Sequence, residues 1–241
     1  MFDFFNDYSE DIIDLSISKI PYETKRFNKV YWFAYKFNDN VSSKERTDFI
    51  NYLKGVSKEN NISDRDLRKL IEYPLEKISD LINLYDIDLF AYPLSNRSNL
   101  VKTMISIIGE YTSRDMKNCC IEFFKSDPKD IEFDWEMFNR ENADDLNKYN
   151  QQKEYVDNFI MPKIKKCDYF SLAKEVKPKY RKYIKNFLNM PTESIEYLDN
   201  KNILVIDDIV TSGSTIQEIL RLIGNHTNNC NIFIFSLIGK E

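Results

Sequence analysis

The stretch Ile203–Thr215 reads Ile-Leu-Val-Ile-Asp-Asp-Ile-Val-Thr-Ser-Gly-Ser-Thr, and its residue types suit one kind of chemistry. Four apolar residues predict a buried parallel strand. Asp207 and Asp208 follow where that strand should surface, placed to accept hydrogen bonds from vicinal sugar hydroxyls. Their repulsion raises one pKa unless ligand or solvent relieves it, so a merely structural turn has no need of both. Thr211, Ser212, Gly213, Ser214 and Thr215 then open a helix. Such a run turns successive backbone N–H groups onto one phosphate, and the helix N-terminus adds partial positive charge. A diol grip joined to a phosphate cradle describes a ribose 5-phosphate site.

The elements that must position this loop follow from pattern. Val30–Phe37 is aromatic and alternates as a strand does. Ser42-Ser43-Lys44-Glu45 reads as a capping box, opening a helix with Phe49, Leu53 and Val56 on one face. Ser63 caps a second helical region, which Pro74 should kink or divide. Ile87–Tyr92 predicts a strand, Ser98–Tyr111 a helix, and Cys119–Phe124 a second strand. Further helices are expected near Leu146–Ile164 and over Pro178–Leu188. Ile203–Ile206, Ser214–Ile223 and Ile232–Leu237 complete the series as strand, helix and strand. Strands separated by helices imply a parallel sheet. Ligands on such sheets sit beyond the carboxyl ends of strands, which selects Asp207–Thr215 and the loop after Tyr92.

At every position Ile203–Thr215 also resembles the phosphoribosyl-pyrophosphate (PRPP) motif of type I phosphoribosyltransferases. The resemblance implies an α/β fold: a parallel-sheet core over 86–241, an N-terminal α/β hood over 1–85, and a helical insertion at about 126–200. It implies that Thr211–Thr215 hold the 5-phosphate, and that Asp207 and Asp208 are the catalytic acids. These acids would hold the ribose hydroxyls and Mg²⁺, directly or through water. Family members bind pyrophosphate with the loop after the first core strand, which matches Ser95, Asn96 and Arg97 here. A guanidinium suits phosphate by its fork geometry, and Ser98 or Asn99 is a helix cap on either reading. Lys125, ending the second strand, is a third pyrophosphate candidate, although lysines also end strands simply to reach water. Lys177, Lys179, Arg181 and Lys182 fall where the family carries a mobile cover, and their spacing equally suits a solvated helix face.

Bulk properties narrow the partners. The chain of 241 residues has a net charge of −5 and 42% hydrophobic residues. That balance argues against a nucleic-acid surface built on phosphate neutralisation. No apolar run reaches the roughly 18–20 residues that span a bilayer, and Met1–Asp7 lacks a basic leader pattern. Cys119, Cys120, Cys167 and Cys230 have no paired spacing, so a reduced, cytoplasmic protein is expected. The lone His226 lies in a polar turn, which disfavours histidine-centred hydrolysis. The expected ligands are PRPP or a nucleoside monophosphate. A homodimer or a protein partner would engage through the N-terminal region or 126–200. Three readings stand side by side: an active phosphoribosyltransferase acting on a nitrogen nucleophile, a catalytically silent PRPP- or nucleotide-binding regulator, and an accessory or effector subunit of a bacterial antiviral defence system.

Overall fold

The structure is a computed structural model and describes residues 12–15, 21–57, 62–95, 98–142 and 146–239. Strand β1 (Tyr22–Arg26) turns through Phe27 and Asn28 into β2 (Lys29–Lys36). Then come α1 (Ser43–Leu53), α2 (Asp64–Leu84), β3 (Leu89–Pro93), α3 (Leu100–Thr112) and β4 (Cys120–Lys125). The insertion holds β5 (Glu132–Phe133), α4 (Trp135–Asn142), α5 (Leu146–Tyr155), α6 (Met161–Lys166), β6 (Ile184–Lys185) and β7 (Leu188–Asn189). It is followed by β8 (Asn202–Ile209), α7 (Ser214–Gly224) and β9 (Asn231–Gly239).

Seven strands form one sheet in the order β1-β2-β9-β8-β3-β4-β7. The five inner strands run parallel, and β1 and β7 are antiparallel edges. β3 has β4 on one side and β8 on the other, although the chain visits β4 first. The order of winding therefore reverses between β3 and β8, and the loops that leave their carboxyl ends flank the switch point.

Two cores cover the two faces. On one, α1–α3 bury Phe49, Leu75, Met104 and Ile108 against Leu204, Ile206 and Phe235. On the other, the insertion and α7 bury Phe138, Ile160, Tyr183 and Ile219 against Ile203, Val205 and Ile234. Both faces of β8 are apolar, as a central parallel strand requires.

Local expectations are met where a short signal decides them. Ser42 accepts from the Glu45 N–H at 3.3 Å while Glu45 accepts from the Ser42 N–H at 2.8 Å, closing the capping box. Three expectations need correction. Pro74 does not divide α2, which runs as one helix over 21 residues. A proline leaves the carbonyl four residues earlier without its helical donor. That carbonyl belongs to Leu70, and the buried Tyr35 hydroxyl donates to it at 2.9 Å. Val56 lies beyond the end of α1 and is 40% exposed. Pro178–Leu188 is no α-helix: a 3₁₀ turn over Pro178–Tyr183 yields to β6, and Asn186 at φ +59° turns the chain into β7. In addition, β2 pairs in parallel with β9 and extends the sheet toward β1.

Candidate functional site

The carboxyl end of β8 carries the two acids, and both are buried. Asp207 Oδ1 accepts from the Asp208 N–H at 3.0 Å, and Asp208 Oδ1 accepts from the Ile209 N–H at 2.7 Å. Each carboxylate thus spends one oxygen on the N–H of the next residue and keeps the other for a partner. Strand alternation sends the neighbouring side chains to opposite faces. Asp208 follows Leu204 and Ile206 toward α1, where the Lys54 ammonium lies 2.7 Å from its Oδ2. Asp207 follows Ile203 and Val205 toward the insertion side, where Lys125 acts on it electrostatically.

Charge in this cluster is finely balanced. Burial, and then the Asp208 carboxylate, push the Asp207 pKa up to about 7, against the pull of Lys54 and Lys125. Burial works against the Lys54 ammonium, but Asp208 and Asp207 outweigh it and hold its pKa above the ordinary value. Lys125 is depressed by burial and by repulsion from Lys54, with Asp207 opposing. Its ammonium also lies 5.6 Å from the centre of the Phe187 ring.

Beyond Ile209 the chain turns at Gly213, φ +78°, directly into α7. Gly213 supplies no side-chain cap, and of the first N–H groups of α7 that of Ser214 donates, at a long 3.5 Å, to the Ser212 hydroxyl. The Ser212 and Ser214 hydroxyls are 3.1 Å apart at this mouth. α7 is anchored behind the loop by Arg221, which donates to Glu218 at 2.9 Å and to Asn186 Oδ1 at 2.8 Å. A helix start fronted by glycine and hydroxyl groups is suited to an anion.

Two neighbours of the cradle come from the first hairpin. The Arg26 guanidinium donates to the Thr211 carbonyl at 2.9 Å. Phe27 and Asn28 both have positive φ, +59° and +58°, so the hairpin turns on two consecutive left-handed residues. That conformation is rare for phenylalanine. It sets the Phe27 ring against Gly213, where a Cβ would lie 2.3 Å from ring carbon Cζ. On the other side a cavity of about 530 Å³ opens between the cradle and the insertion. Ser212 and Ser214 line it from the loop, and Lys148, Lys179, Lys182 and Tyr183 from the insertion.

The structure therefore puts Asp207 and Asp208 side by side at the end of β8 with Thr211–Thr215 following them, and Lys125, at the end of β4, acts on Asp207 electrostatically without an ion pair among the described residues. Ser95 is exposed in the loop after β3, across the switch point. Asn96 and Arg97 lie outside the described residues. Of the insertion cations, Lys179 and Lys182 reach the cavity, whereas Arg181 donates to the Val176 carbonyl at 2.9 Å. Lys54, Arg26 and Phe27 were not foreseen. Lys54 falls inside the helix expected to reach Val56, and nothing local announces that its ammonium meets a strand from far along the chain. No cysteine offers a ready nucleophile: all four are unpaired, and burial pushes the Cys120 thiol up to about 12. Among the described residues no helix is long and apolar enough to cross a membrane.

Residues 170–237 match the model of the phosphoribosyl transferase domain. Over that stretch the chain is similar to a phosphoribosyl transferase domain. That domain type is an enzymatic one, of the glycosyltransferase kind. Within it fall β6–β8, both acids, the cradle and α7, whereas β3, Ser95, β4 and Lys125 lie outside the matched stretch. No curated protein matches the sequence. Among solved structures, a hypoxanthine phosphoribosyltransferase from Staphylococcus aureus aligns at 14% identity and a TM-score of 0.37, over 72% of this chain and 65% of that one. An adenine phosphoribosyltransferase from Leishmania tarentolae aligns at 11% identity and a TM-score of 0.37, over 86% and 91%. An orotate phosphoribosyltransferase from Francisella tularensis aligns at 11% identity and a TM-score of 0.34, over 99% and 85%.

Proposed function

We propose that this chain binds PRPP with Mg²⁺ and transfers its phosphoribosyl group to a nitrogen nucleophile, most simply a base, with release of pyrophosphate. One observation carries the reading: a buried acid pair at the carboxyl end of β8 runs, through a glycine at positive φ, into a helix N-terminus whose N-cap residue has no side chain. In this reading the N–H groups and hydroxyls of Thr211–Thr215 hold the 5-phosphate, and that remote binding energy orients C1. Asp207 and Asp208 accept from the ribose hydroxyls. Ser95, Asn96, Arg97 and Lys125 meet the pyrophosphate from across the switch point.

The bond from C1 to the pyrophosphate oxygen breaks as the bond from C1 to nitrogen forms, and the nitrogen's proton leaves to solvent or to the departing group. Positive charge grows on the ribose, beside buried carboxylates that favour it. Two hard carboxylates, with substrate oxygens and water, are a donor set that fits Mg²⁺. When bound, that ion would neutralise the leaving group.

Titration calorimetry with PRPP–Mg²⁺, followed by pyrophosphate release across a panel of bases, tests the proposal. Binding without release for any base would favour the silent regulator, a second reading for which the Arg26 and Phe27 contacts on the cradle speak. Absence of PRPP binding would remove both readings.

The insertion is proposed as the cover over the bound ligand, since Lys179 and Lys182 already border the cavity at Ser212. PRPP–Mg²⁺ should then slow limited proteolysis within 165–185. Cleavage there that is fast and indifferent to ligand would leave the covering role without support and strengthen a partner-binding one.

A further inference from the structure

Lys54 is the C-cap of α1, and its ammonium reaches the carboxyl end of β8 to pair with Asp208 at 2.7 Å. The side chain is 29% exposed and that of Asp208 only 9%, so the lysine stands on the open side of the pair. It also acts on Asp207, and it repels Lys125, which approaches the acids from the other face. Two acids and two lysines thus form one cluster around the strand end. A structural counter-ion would explain one lysine on one acid. It does not explain a second, half-buried lysine, Lys125 at the end of β4, whose charge acts on Asp207 as well. Such an arrangement suits a site that must receive additional negative charge.

Resting on the PRPP reading above, we propose that Lys54 is a pyrophosphate-binding residue. When ribose hydroxyls engage Asp208, the ammonium is freed to swing on its four-carbon stem toward the pyrophosphoryl group at C1, opposite Lys125. The 1–85 section would then contribute a substrate contact as well as two strands. The ligand class is a ribose bearing an anionic leaving group at C1. A nucleoside monophosphate, whose only phosphate occupies the cradle, should not need this lysine.

The test compares Lys54→Met, which keeps the stem, with Lys54→Arg, which keeps the charge. Calorimetry is run with PRPP–Mg²⁺ and with a nucleoside monophosphate, and apo melting temperatures are recorded alongside. One charge-assisted contact predicts a ~10–100-fold loss of PRPP affinity in Lys54→Met. Monophosphate affinity should stay within about twofold, and Lys54→Arg should restore PRPP binding. Equal losses for both ligands with a lowered melting temperature would mark Lys54 as a counter-ion only and overturn the proposal, as would unchanged PRPP affinity. If Lys54→Met does not fold, Lys54→Gln provides the same comparison. A parent protein that binds neither ligand would overturn the PRPP reading itself, whereas a parent that binds PRPP and is indifferent to position 54 overturns only this inference.

Discussion

Gly213→Ala should lose PRPP binding and destabilise the protein, and the two losses should separate in a second background. The left-handed φ of +78° costs a residue with a Cβ about 1 kcal/mol. The methyl group would also lie 2.3 Å from Cζ and 2.6 Å from Cε1 of Phe27, so the hairpin tip or the cradle must shift. Overpacking of this kind adds about 1–3 kcal/mol. Combining Gly213→Ala with Phe27→Ala removes the ring and should leave only the backbone term. Most of the stability and part of the PRPP affinity should return in that double variant. Gly213→Val, whose β-branch disfavours positive φ further, should bind PRPP in neither background. Thermal melts and calorimetry on this cycle decide the matter. PRPP affinity in Gly213→Ala equal to the parent's would remove the cradle assignment.

Replacing Asp207 and Asp208 together by Asn should cost at least about 100-fold in PRPP–Mg²⁺ affinity, because two charge-assisted contacts are lost at ~1.5–3 kcal/mol each. The apo protein should tolerate the change, since the swap removes a repulsion between buried carboxylates as it removes partners for Lys54 and Lys125. Single replacement of Asp207 has a pH signature. Its folded pKa, about 7, exceeds the unfolded value of 3.8, so between these limits the folded state holds a proton that the unfolded state has released. Stability therefore falls as pH rises through about 4 to 7, and then levels. Asp207→Asn should flatten that portion of the melting curve against pH. Binding has the opposite sign: a carboxylate ready for ribose and Mg²⁺ exists mainly above about 7, so parent affinity for PRPP–Mg²⁺ should rise with pH through that point. An apo stability that climbs from pH 4 to 7 equally in parent and Asp207→Asn would show that Asp207 ionises normally.

The sequence was most readable where one short segment contains its own reasons. Four apolar residues, two acids and a Thr-Ser-Gly run dictate β8, its charged end and the start of α7 within thirteen consecutive positions. Ser42 and Ser63 mark helix starts because the bonds that cap them reach only three residues ahead. Legibility ended where the deciding partner is remote. Pro74 continues α2 because a tyrosine on β2 satisfies the orphaned carbonyl, a fact no window around residue 74 contains. The stretch 178–188 has spacing that a helix would accept, yet its first half is a 3₁₀ turn, and Ile184, Lys185 and Leu188 pair with β5 and β4 instead. Lys54 is the clearest case. A lysine at a helix end is ordinary, and only the packing of α1 over the sheet turns it into part of an acid–base cluster.

The pairing of β2 with β9 has a consequence for how the molecule comes to exist. Val30 lies against Phe233 and Trp32 against Phe235, so an early strand is completed by one made just over 200 residues later. Closing so long a loop is entropically costly and places this contact among those that slow folding. During synthesis, Tyr31–Tyr35 must wait as an apolar, aromatic edge without its parallel neighbour, exposed to misassociation. β8 waits as well, because β9 separates it from β2 in the sheet. The acids and cradle therefore gain their final setting only when the last strand slides between the two, and a chain halted before Asn231 would hold the chemistry of the site without its frame.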